Sequence, residues 1–100
     1  MNSSSQKRAM NRGKSFERWC AKQLGTTRVL QKGTKVPDIL YNGYKIDCKH
    51  RSNFSAFTGY KECREKYGDK TVVVWCKPGR PYRESIVVMN FEEWRELCER

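Results

Sequence analysis

Asn42 and Gly43 constrain this chain more than any other pair of residues. They separate two apolar-rich runs, residues 36–41 and 44–48. An Asn-Gly pair in that position predicts a two-residue β-hairpin, because both turn positions need positive φ. The register follows: Tyr41 opposite Tyr44, Leu40 opposite Lys45, Ile39 opposite Ile46, and Asp38 opposite Asp47. The two carboxylates then face each other with Cβ atoms about 5 Å apart. Lys49, two residues beyond Asp47, shares their face. Pro37, Ile39, Tyr41, Tyr44, Ile46 and Cys48 form the other face, which is apolar enough to pack on a core. Like charges directly opposite in a sheet are destabilising, and a bound divalent cation is the simplest compensation. Two carboxylates and a lysine on one face suit phosphodiester hydrolysis. Oxygen ligands hold Mg²⁺ or Mn²⁺, the metal activates water, and the lysine offsets developing charge.

The order Pro37-Asp38, then Asp47-Cys48-Lys49, resembles the motif of the PD-(D/E)xK nuclease superfamily. In that family a glutamate on the preceding helix often joins the metal site, and Glu17 stands in the matching place. Glycine, helix glutamate, glycine-containing loop, PD hairpin and D-x-K strand in so short a chain are most similar to archaeal and phage Holliday junction resolvases. The resemblance spans residues 13–76. It implies Glu17, Asp38, Asp47 and Lys49 as catalytic residues, the first three as metal ligands, and a symmetric homodimer acting on branched DNA. Asp47 departs from the pattern, since resolvases usually carry glutamate there, although the superfamily admits both acids.

Charge points the same way. Residues 1–35 hold nine Lys/Arg against one acid, Glu17, which is +8 of the +10 total. A positive field concentrated in a third of a small domain suits a polyanion. Arg12, Lys14, Lys32, Thr34, Lys35 and Arg51 are the residues expected to meet DNA. The alternative is a solvated tail that only keeps the chain soluble. No apolar run approaches the ~20 residues that span a membrane, and the basic N-terminus lacks the hydrophobic stretch of a secretory signal. Five cysteines, an odd number with no CxxC pair, and a single histidine argue against a zinc site. They read as reduced, mostly buried small hydrophobes in a cytoplasmic protein, or in the host cytoplasm for a viral one.

Residues 1–12 are polar and basic and read as a flexible segment before a single domain at 13–100. A helix is expected from Gly13 or Lys14 to Leu24, its stripe made by Phe16, Trp19, Cys20 and Leu24, with Gly25 as cap. Glu17 lies at the edge of that stripe. It either points toward the site or faces solvent and pairs with nearby arginines. Residues 26–30 read as a first strand and 31–35 as a loop beside the site. His50 alternates away from Asp47 and Lys49, so it receives no catalytic role. A second helix, from Asn53 or Ser55 to Tyr67, should bury Phe57, Tyr60, Cys63 and Tyr67. Residues 71–76 form a strand covered on both faces, and residues 85–89 a further strand. Asn90 with Glu93 resembles a capping box for a last helix with the stripe Phe91, Trp94, Leu97 and Cys98. The sum is α/β: a mixed central sheet flanked by helices in the order α-β-β-β-α-β-β-α, as in the restriction-endonuclease-like fold.

These observations imply a metal-dependent DNA endonuclease, with the resolvase as its most specific form. The rivals are another nuclease of the same superfamily, acting on flaps, single strands or duplex, and a basic nucleic-acid-binding module without catalysis. In the last case Lys49 is only a salt-bridge partner for the two aspartates.

Overall fold

The hairpin forms in the expected register. In the computed structural model, β1 (Ile39–Tyr41) pairs antiparallel with β2 (Tyr44–His50) through Ile39 and Ile46, Leu40 and Lys45, Tyr41 and Tyr44. Asn42 and Gly43 take φ values of 52° and 82°, the left-handed pair that such a turn needs. The structure describes residues 4–30, 33 and 35–100, with side chains from residue 13 onward. Lys32, Thr34 and the side chain of Arg12 therefore lie outside the described residues.

A crossover through helix α2 (Ala56–Tyr67) carries the chain to β3 (Thr71–Cys76), which runs parallel to β2. A short 3₁₀ turn (Tyr82–Glu84) then leads to β4 (Ile86–Met89), antiparallel to β3. The sheet order is β1-β2-β3-β4, with helix α1 (Ser4–Gln23) before it and α3 (Phe91–Cys98) after it. Among the described residues the architecture is α/β, with a mixed four-stranded sheet and three helices.

Strand alternation divides this sheet into two unlike faces. Phe16, Cys20 and Ala21 of α1 pack on Ile39, Tyr44, Ile46, Val72 and Cys76, which form the main core. The other face carries Asp47, Lys49, Val73 and Trp75, and α2 covers its centre through Cys63. β3 is central as expected: Thr71 and Val73 are fully buried. No helix among the described residues is long and apolar enough to cross a membrane.

Four expectations need correction. The first helix starts at Ser4, so the basic residues read as a separate segment are its opening turns. Gln6, Lys7, Arg8, Ala9 and Met10 are good helix formers, and Gly13 is tolerated inside the helix at a cost of about 1 kcal/mol. Residues 26–30 form no strand element; Val29 N–H donates to Asp38 O at 2.8 Å, and Leu30 is exposed, so no apolar face holds this segment on the sheet. Phe57 is 76% exposed and lies outside the core. The α3 stripe is also open to solvent at Phe91, Trp94 and Leu97. Asn90 does cap α3, its Oδ1 accepting Glu93 N–H at 3.1 Å. The Glu93 carboxylate, however, accepts from Lys70 N–H and Arg64 and thereby ties α3 to α2.

Candidate active site

Asp38 precedes β1, and the ladder stops just before it. Pro37 has no N–H to continue the pairing. The Asp38 carboxylate turns to the edge of β2 instead, where its Oδ2 accepts the Cys48 N–H at 2.7 Å. Asp38 and Asp47 are thus not a simple cross-strand pair. They remain close enough that the Asp47 charge raises the Asp38 carboxyl.

Asp47 is buried, with 6% of its surface exposed. Three donors hold it: Lys49 Nζ at 2.5 Å from Oδ2, Cys63 Sγ at 3.4 Å from the same oxygen, and Tyr67 OH at 3.3 Å from Oδ1. Alternation along β2 puts Lys49 on the face of Asp47, as expected. In the parallel register Lys49 lies beside Trp75. Trp75 stacks on Phe54 with ring centroids 5.6 Å apart and donates through Nε1 to Arg51 O. Gly59 makes this stack possible, since a Cβ there would stand 2.2 Å from the Phe54 ring.

The electrostatics are asymmetric. Burial pushes the Asp38 carboxyl up to about 7, against an ordinary 3.8. The charges of Asp47 and Glu17 add to the rise, while the Cys48 N–H bond and Lys49 oppose it. Burial and the Asp47 charge raise the Cys63 thiol to about 11, so it stays a neutral donor. The same two causes, burial first, raise the Tyr67 hydroxyl.

Glu17 lies within electrostatic reach of Asp38 but is paired with Arg28 at 3.4 Å. This matches the second of its two sequence readings, the arginine pair. Among the described residues no three His, Cys, Asp or Glu side chains gather at metal-ligating spacing, so Glu17 does not complete a three-carboxylate cluster. Lys14, Lys35 and Arg51 are exposed. His50 faces away from Asp47, with its ring 5.5 Å from Phe16 and 5.7 Å from Tyr82.

The sequence marks Cys63 and Tyr67 only as core-stripe residues. Their i, i+4 spacing is the usable signal: it sets both polar tips on one line of α2. That line becomes informative only when the buried strand face beneath it carries an aspartate. Comparison of the chain with protein-family models, curated proteins and solved structures finds no match.

Proposed function

We propose that this chain is a divalent-metal-dependent DNA endonuclease, and within that class a structure-specific enzyme of the Holliday-junction-resolving kind. The observation that carries the reading is the nearness of two carboxylates, Asp38 and Asp47, with Lys49 on Asp47. Burial, with the Asp47 charge adding to it, lifts Asp38 to about 7, and Lys49 lies on the face of Asp47. Hard oxygen donors of this kind fit Mg²⁺ or Mn²⁺, which commonly use one or two protein carboxylates and keep several waters. The number of donors therefore suffices without Glu17. Asp38 and Asp47 would hold the ion, and Glu17 would act from the outer sphere. When bound, the ion supplies Lewis-acid polarisation of a phosphoryl oxygen and acidifies water.

The remaining work belongs to the side chains themselves. Tyr67 and Cys63 donate to Asp47 and fix its carboxylate plane. Lys49 uses one of its three protons on Asp47, leaving two for a phosphate oxygen as negative charge grows there. Lys14, Lys35 and Arg51, with Arg12, Lys32 and Thr34 by sequence, would hold flanking phosphates. The Pro37-Asp38 and Asp47-Cys48-Lys49 order supports the PD-(D/E)xK assignment, and the two-fold character of a four-way junction calls for a homodimer with two sites. The reduced thiols fit a cytoplasmic setting, in the host for a viral protein.

One observation favours the non-catalytic module: Lys49 already neutralises Asp47. Labelled four-way junction, flap, duplex and single-stranded DNA, each with and without Mg²⁺, separate the readings. Mg²⁺-dependent nicking with junction preference supports the resolvase. Nicking without that preference leaves the general nuclease. Binding with no cleavage under Mg²⁺ or Mn²⁺ leaves the module.

A further inference from the structure

Lys14, Arg18 and Lys22 recur at i, i+4 and i+8 along α1. That spacing lines three cations up on one helix face, at intervals of about 6 Å. Past the last turn of α1, a cavity of about 310 Å³ opens between the helix and residues 26–30. Arg18, Lys22 and Arg28 line it, with Thr26, Thr27 and Leu30.

Among the described residues no ion pair neutralises Arg18 or Lys22. Arg28 reaches Glu17 through one nitrogen, Nη1, at 3.4 Å, and a guanidinium has five N–H donors. Glu17 is the one acid in residues 1–35, so three cations face a single carboxylate here. The helix dipole opposes an anion at this end of α1. That opposition is reduced, because the carbonyls of Cys20, Lys22 and Ala21 already accept from the N–H groups of Leu24, Gly25 and Thr26. The cavity also adjoins the candidate active site. Val29, the residue after Arg28, donates to Asp38 O at 2.8 Å, and the Glu17 charge that Arg28 meets acts on Asp38.

We propose that this cavity is a binding site for a backbone phosphate of the DNA strand that crosses the carboxylates. Arg18, Lys22 and Arg28 supply the charge, and the hydroxyls of Thr26 and Thr27 supply further donors. Leu30, 78% exposed, offers an apolar contact to the sugar. The site rests on the reading of DNA as the partner but not on cleavage, and it adds three cations to those expected to hold the strand.

A short labelled duplex is the probe, bound to the full chain in EDTA over a series of NaCl concentrations. In the double variant Arg18→Ala, Lys22→Ala, the slope of log affinity against log salt should drop by about 0.9 for each phosphate released, and by at least one such step. The control Lys61→Ala, Arg95→Ala removes the same number of charges from exposed places on α2 and α3 and should keep the slope. Amide NMR of the unaltered chain with the same duplex serves where the variant does not fold, and shifts are expected at Lys22, Thr26, Thr27 and Arg28. An unchanged slope in the Arg18 and Lys22 variant, an equal drop in the control, or amide shifts that miss residues 22–28 would overturn the proposal. Nicking is assayed apart. Its absence under Mg²⁺ strikes the nuclease and leaves this site, whereas an unchanged slope strikes this site and leaves the nuclease.

Discussion

Replacing Asp38 with asparagine should make the metal-free protein more stable while ending cleavage. Folding brings this carboxylate into a partly buried place where Asp47 and Glu17 repel it. Moving its titration from 3.8 to about 7 corresponds to about 4 kcal/mol, at about 1.4 kcal/mol per pH unit. Solvent screening of a partly buried group reduces that to about 1–2 kcal/mol. Asparagine is isosteric, and its Oδ1 can still accept the Cys48 N–H that Asp38 accepts at 2.7 Å. The gain must also depend on pH. Folded Asp38 keeps its proton to higher pH than the unfolded chain does. Wild-type stability therefore falls as pH rises from about 4 through about 7, and the loss is complete above that. Urea unfolding with EDTA, at pH 4.5 and pH 8, measures the difference. A gain of about 1–2 kcal/mol at pH 8 that shrinks at pH 4.5 is expected. Equal stability of the two proteins at pH 8, or the same gain at both pH values, would refute the electrostatic account of this site. A saturating divalent ion should reverse the order, since it stabilises only the chain that holds it.

Asp47→Asn and Lys49→Ala should each abolish Mg²⁺-dependent nicking yet leave DNA binding largely intact; near-normal turnover in Asp47→Asn would sink the metal-site assignment. Tyr67→Phe keeps the ring on α2 but removes the donor to Asp47 Oδ1, so metal affinity or kcat should fall about 10-fold or more, and unchanged kinetics would leave Tyr67 a packing residue only. Deleting residues 1–12 removes the basic opening of α1 but keeps Phe16 in the core; the slope of log affinity against log salt should drop by about 0.9 for each duplex phosphate no longer neutralised, and an unchanged slope would show that these residues do not touch DNA. A four-way junction should outcompete duplex of equal length beyond what charge explains, with light scattering reporting a dimer; a strict monomer without junction preference would rule out the resolvase and leave the nuclease.

Much of this molecule was determined locally. Asn42 and Gly43 demand positive φ whatever surrounds them, so the turn, the register of residues 39–46 and the facing of Lys49 with Asp47 were legible. Strand alternation likewise took His50 off the carboxylate face and into the aromatic cluster. The apolar run at residues 71–76 announced a covered central strand because no solvent face interrupts it. Tertiary structure decided what these elements meet. Periodicity put Cys63 and Tyr67 on the buried side of a helix but could not say that an aspartate lay beneath them. It could not choose between Arg28 and the site for Glu17, since that depends on how residues 24–30 return from α1. Nor could it show the Asp38 carboxylate leaving its cross-strand position for the Cys48 N–H. Turn chemistry and alternation act between neighbours and are written in the order of residues. The partner of a buried charge is set by which distant surfaces pack together, and that order alone does not name it.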